Sequence, residues 1–151
     1  MIYYGIDPGK SGAVAAVYDD GQLHGVAKFA ASASGPFDPA AARELLRRSD
    51  ETSFALLERV SSMPRQGVAS SFKFGSAYGW CLGALDMEGL RYQLITPAKW
   101  QGLMGCRTGG QKNVSKAAAQ RLFPAVRVTH AIADALLLAE CCRRMRMGVE
   151  L

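Results

Sequence analysis

Three short apolar runs, Ile2–Ile6, Ala13–Tyr18 and Leu23–Phe29, open the chain, with Asp7-Pro8-Gly9 and Asp19-Asp20-Gly21 in the gaps between them. Runs this short, carrying β-branched and aromatic residues and bounded by turn formers, are expected to be strands. Asp-Gly between two of them is a hairpin signal. A chain that begins with three neighbouring antiparallel strands is strongly constrained, because everything downstream must extend that sheet or cover its faces.

The downstream segments do both. The small-residue stretch ASASGPFDP reads as a connection ending in Asp38 as helix cap and Pro39 as first helical residue, and AAARELLRRS reads as a helix. Leu45 and Leu46 face inward on it; Arg43, Arg47 and Arg48 face out. Phe54–Val60 reads as a short buried strand. A Ser- and Gly-bearing stretch, SSMPRQG, then leads to a helix over Ser70–Glu88. Its glycines Gly75, Gly79 and Gly83 each cost roughly 1 kcal/mol against alanine, so the spacing predicts that another backbone approaches them closely. RYQLIT is a fifth strand, Pro97 opens a short helix, KNVSKAAAQRLFP forms another, and HAIADALLLAECCRRMRM closes the chain. No repeat, long linker or low-complexity tract divides the 151 residues. One domain over 1–151 is expected: an α/β fold with a central mixed five-stranded sheet, its first three strands antiparallel, flanked by helices.

Composition excludes several classes. Hydrophobic residues make up 49% and charged ones 21%, so the chain has enough apolar surface to fold and is not disordered. No apolar run approaches the ~20 residues that span a bilayer, and no basic region precedes the first strand, so neither a membrane segment nor a signal peptide is expected. Cys81, Cys106, Cys141 and Cys142 include no CxxC pair, and the two histidines, His24 and His130, are far apart, so zinc is not indicated. Reduced thiols in a cytoplasmic compartment are expected. The net charge of +5 leans toward an acidic partner such as nucleic acid.

Three carboxylates fall where hydrophobic elements should exclude them: Asp7 at the end of the first strand, Glu58 within LLERV, and Asp134 within AIADALLLA. A buried carboxylate costs several kcal/mol unless it is paired, hydrogen-bonded or bound to a cation. Singly, each has an ordinary explanation as a turn cap, an edge residue or an arginine partner. Together they point to a cluster of hard oxygen ligands for Mg²⁺ or Mn²⁺.

With these residues in place the chain resembles the RuvC-like Holliday-junction resolvases, members of the ribonuclease H-like nuclease superfamily. The resemblance rests on the ordered set of Gly5-Ile6-Asp7-Pro8-Gly9, Leu56-Leu57-Glu58 and Ala133-Asp134-Ala135-Leu136, and it extends over nearly the whole chain. TPAKWQGLMG with the lysine-bearing helix after it also resembles the family's region between the fifth strand and the catalytic helix. The resemblance implies that Asp7, Glu58 and Asp134 are three of four acidic ligands for two Mg²⁺ or Mn²⁺ ions. It implies a homodimer that hydrolyses four-way and other branched DNA, with no small-molecule cofactor, in a bacterium or, preferentially, a phage-infected cell. The fourth ligand is where this sequence departs. Ala131, three residues before Asp134, stands where an acid is expected, and His130, four residues before it, shares the same helix face. Three explanations stay open: His130 is a functional ligand or base, Ala131 replaces an aspartate and the chain is an inactivated variant, or His130 is a partly buried residue with no part in metal binding.

For DNA, the expected contacts are Lys10 beyond the Asp7-Pro8-Gly9 turn, Lys73 on the glycine-bearing helix, and Arg107, Lys112 and Lys116 around Thr108-Gly109-Gly110. Phe72 and Phe74 flank Lys73 and serve either as a wedge at a branch point or as core. Arg143, Arg144 and Arg146 form a further basic cluster. The rivals are a ribonuclease H-like nuclease acting on structured RNA and a non-catalytic junction-binding protein. A sugar-kinase or actin-like fold needs two such domains, for which 151 residues are too few.

Overall fold

The computed structural model describes residues 1–60 and 65–149; residues 61–64, part of the expected SSMPRQG connection, lie outside the described residues. The elements follow the order β1 (Ile2–Asp7), β2 (Ala13–Tyr18), β3 (Leu23–Lys28), α1 (Ala40–Leu46), β4 (Phe54–Glu58), α2 (Val68–Met87), β5 (Arg91–Ile95), α3 (Pro97–Leu103), α4 (Lys112–Leu122) and α5 (His130–Met147). They build one five-stranded sheet in the order β3-β2-β1-β4-β5. β1, β2 and β3 pair antiparallel, and β4 and β5 run parallel to β1. The mixed sheet expected from the sequence is therefore present, with β1 at its centre.

Alternation along the strands sorts the core into two layers. Tyr4, Ile6, Val14, Ala16, Ala55 and Leu57 face the side covered by α1 and α2. Tyr3, Ala13, Ala15, Val17 and Leu56 face the side covered by α3, α4 and α5. Asp7 keeps step with Tyr3 and Gly5, and Glu58 keeps step with Leu56, so both acids belong to the α5 face. β1 and β4 pair Gly5 with Leu56 and Ile6 with Leu57, and the next step of that register sets Asp7 beside Glu58 at the strand ends.

α5 lies on this face unusually close to the sheet. A methyl group at Gly5 would collide with the α5 backbone at Ala135 and Ala139, and β2 offers the small Ala13 and Ala15 on the same face. The helix is buried from Ile132 to Cys142 except at Asp134, which is half-buried. Close packing of small residues thus brings Asp134 to the end of β1 where Asp7 sits.

Three local expectations are corrected. β4 ends at Glu58 rather than running to Val60. The glycines of α2 have no backbone near them: a Cβ built at Gly75, Gly79 or Gly83 meets nothing within 4 Å. The helix buries Ala77, Cys81 and Leu85 and turns the glycine face outward, beside the exposed Val68, Phe72 and Met87. At α1, Pro39 occupies the cap position; Asp38 Oδ1 accepts from the Ala40 amide at 3.1 Å, so Asp38 steadies the start of the helix from one residue further out. All four cysteines are buried and unbridged, and among the described residues no helix is long and apolar enough to cross a membrane.

Candidate active site

The loop after β1 is built around Asp7. Gly9 has φ 115°, a conformation that side chains rarely adopt, and the Phe74 ring lies against it. At Gly12 a side chain would strike the Asp7 carbonyl. The Gly12 amide donates to the Gly9 carbonyl at 3.1 Å, closing the turn, and the Phe29 amide donates to Gly12 at 3.1 Å, tying the loop to the end of β3. The Asp7-Pro8-Gly9 turn therefore leaves the Asp7 carboxyl facing an open cleft of about 700 Å³.

Asp7 and Asp134 line that cleft together with Lys10, Lys28, Lys73, Phe74, Lys112, Ser115, His130 and Ala131. The three acids respond to one another. Burial pushes the Asp7 carboxyl well above its usual range, Glu58 and Asp134 push it further, and Lys112 only partly offsets them. Burial also raises Glu58, against a hydrogen bond from Trp100, and Asp134 adds to the rise. Asp134 is raised by burial and drawn back by the Ser115 hydroxyl, Lys112 and His130. One oxygen of Asp134, Oδ1, is buried with no hydrogen-bond partner. Three mutually repelling carboxyls, one with an orphaned oxygen, form a donor set that suits a hard divalent cation. As they stand, no three His, Cys, Asp or Glu side chains among the described residues converge tightly enough to enclose an ion.

Of the expected DNA contacts, Lys10, Lys73, Phe74 and Lys112 gather at the cleft, whereas Phe72, Arg107 and Lys116 lie outside its lining. Phe72 is 76% exposed near the start of α2, so it is not core. Lys28 at the end of β3, and Ser115 beside Asp134, join the site without having been read from the sequence. No short-range pattern marks either one.

The C-terminal basic cluster is corrected. Glu140, 5% exposed, takes Arg143 Nε at 2.7 Å and Nη2 at 2.8 Å, and Arg144 Nε at 2.7 Å. Arg143 Nη1 also donates to the Asp19 carbonyl at 3.0 Å, fastening the β2–β3 turn to α5. Arg146 stacks over the Phe54 ring at 4.4 Å. These arginines hold the fold together rather than waiting for phosphate.

No family model matches the chain, and no curated protein matches it. Solved structures do. The chain is similar to Thermus thermophilus RuvC in complex with a Holliday junction substrate, with 23% identity, a TM-score of 0.68, and coverage of 99% of this chain and 98% of that one. It is also similar to a second Thermus thermophilus RuvC structure, with 21% identity, a TM-score of 0.61 and the same coverage. The fold is the RuvC fold from end to end.

Proposed function

From that fold we propose that the chain is a structure-selective endonuclease, one that cleaves four-way DNA junctions by divalent-metal-dependent phosphodiester hydrolysis and acts as a pair of identical chains. The observation that carries this reading is the set of half-buried, mutually repelling acids Asp7, Glu58 and Asp134: Asp7 and Asp134 line a cleft that also holds lysines, and Glu58, outside that lining, lies beside Asp7 at the end of β4. Support comes from the fold, shared along the whole chain with a structure that holds a Holliday junction.

Asp7, which is coupled to both other acids, would hold the Mg²⁺ or Mn²⁺ ions together with Glu58 and Asp134. Ions bound there supply an activated water and stabilise the charge of the leaving 3′-oxygen. The chain's own residues do the rest. Lys10, Lys28 and Lys73 line the cleft where the phosphate backbone would lie, neutralising it and fixing its register. Lys112 places positive charge beside Asp7 and Asp134 and limits their repulsion. His130, one helical turn before Asp134, also lines the cleft and would be the ligand or base that stands in for the missing acid.

A second copy would cover the outward face of α2, where Val68, Phe72 and Met87 are exposed beside three glycines that leave room for a backbone. Two copies place two sites on a substrate that needs two cuts. Sedimentation with and without junction DNA tests this, and monomer alone at micromolar concentration in both states would contradict it.

A second reading is favoured by Ala131, which lines the cleft and offers no ligand atom: a junction binder that lacks the fourth ligand. Cleavage of a synthetic four-way junction, against linear duplex and structured RNA with Mg²⁺, separates the readings. Cutting by the chain as it stands, lost in His130→Ala, assigns the role to histidine. Cutting only after Ala131→Asp identifies a disabled nuclease. Tight junction binding with no cutting in either form identifies the binder, and preference for the RNA places the chain with the RNA-acting relatives.

A further inference from the structure

Trp100 is the one large aromatic side chain of α3, and it is 0% exposed. Its indole Nε1 donates to Glu58 Oε2 at 2.7 Å, a short charge-assisted bond between residues 42 apart in sequence. The local fold aims it there. β5 pairs with β4 so that Ile95 lies opposite Glu58, and the Arg59 amide donates to the Ile95 carbonyl at 2.7 Å. Thr96 then caps α3 through the Lys99 amide at 3.3 Å and Pro97 sets its first turn. The chain thus folds straight back under the end of β4, and the indole is delivered to the carboxylate with almost no intervening sequence.

An indole N–H can only donate. It therefore occupies one lone pair of Glu58 Oε2 and favours the ionised form of that acid against the pull of burial. The bicyclic ring is packed among α5 and α4 residues of the core and cannot swing away without opening a cavity. Asp7 has no comparable protein donor among the hydrogen bonds of the described residues, and Asp134 meets only the rotatable Ser115 hydroxyl and leaves Oδ1 without a partner, so Glu58 is the acid held by a rigid donor.

We infer that Trp100 is a positioning residue: its indole N–H holds Glu58 in a single orientation that leaves Oε1 as the oxygen offered to a divalent cation. This rests on the metal-site reading of Asp7, Glu58 and Asp134. A core tryptophan that merely satisfies its own N–H would leave cation affinity unchanged when that N–H is lost, and this distinguishes the two roles.

The test is calorimetric titration of Mn²⁺ into the metal-free chain, with no DNA and no turnover. Replacing Trp100 by benzothienylalanine keeps the ring's size and shape and removes the N–H; Trp100→Phe is the simpler companion. The expected result is Mn²⁺ binding weakened about 10-fold in both, with no further weakening when either change is added to Glu58→Gln. Mn²⁺ affinity equal to wild type in the benzothienylalanine protein, whatever happens to its melting temperature, overturns the inference and leaves the metal site standing. Mn²⁺ affinity equal to wild type in Glu58→Gln, or no binding by wild type, overturns the metal reading and this inference with it.

Discussion

Asp134 and Glu140 sit six residues apart on one helix, both turned in toward the body of the protein, and they have opposite surroundings. Glu140 has both oxygens satisfied by Arg143 and Arg144. Burial raises its pKa, but the two guanidiniums outweigh this and hold it below the usual range. Asp134 has an orphaned oxygen and a raised pKa, as do its neighbours Asp7 and Glu58 in the latter respect. A buried acid with its counter-charge supplied by the chain is a fastening. A group of half-buried acids that Lys112 offsets only in part has the surroundings expected of the proposed cation site.

The sharpest way to break the comparison is to neutralise one acid at each end. Asp7→Asn is expected to lower junction cleavage by at least ~10³-fold, about 4 kcal/mol in the barrier. It is also expected to raise the melting temperature of the metal-free protein by a few degrees, about 1 kcal/mol, because a repelling buried charge is gone. Cleavage kinetics and thermal denaturation check the two halves. Glu140→Ala should do the reverse. It strands two arginines and frees the β2–β3 turn, costing about 3 kcal/mol of stability in denaturant unfolding. Mn²⁺ affinity stays at the wild-type value.

Titration sharpens the contrast with a smaller effect. A raised carboxyl pKa gives stability that is present below the ordinary value and lost as pH rises through the folded one. For Asp7 and Asp134 the ordinary value is 3.8, so the metal-free protein loses their contribution as pH climbs above it toward neutrality. Glu140, lowered from 4.5, contributes stability present above that value and lost as pH falls through its folded pKa. Melting temperature against pH should therefore flatten on the neutral side in Asp7→Asn and on the acid side in Glu140→Ala. Identical profiles for both variants would remove the distinction.

The smallest expected effect concerns the basic residues. Lys73→Ala should reduce the salt dependence of junction binding by about one unit of log-log slope, since one phosphate contact is lost. Arg144→Ala, which takes away a partner of Glu140, should leave that slope unchanged while lowering stability.

Much of this was legible beforehand. The turn chemistry at Asp19-Asp20-Gly21, the apolar runs and Pro97 gave the element order, and alternation along β1 and β4 carries Asp7 and Glu58 to one face. What escaped depended on contacts between distant residues. Trp100 meets Glu58 only because β5 lies against β4. Glu140 escaped differently: with arginines three and four residues later it carries the spacing of a helix ion pair, yet the arginines read more readily as a nucleic-acid cluster. The α2 glycines were recognised as significant, but sequence shows only that space is left beside a backbone, not whether this chain fills it.

The proposal at the centre is that Asp7, Glu58 and Asp134 form a divalent-cation site whose repulsion the chain offsets only in part. Thermal denaturation of wild type and Asp7→Asn, each with and without Mg²⁺, tests it most directly. The account predicts that Mg²⁺ raises the wild-type melting temperature and leaves Asp7→Asn where it was; an equal rise in both proteins would contradict it.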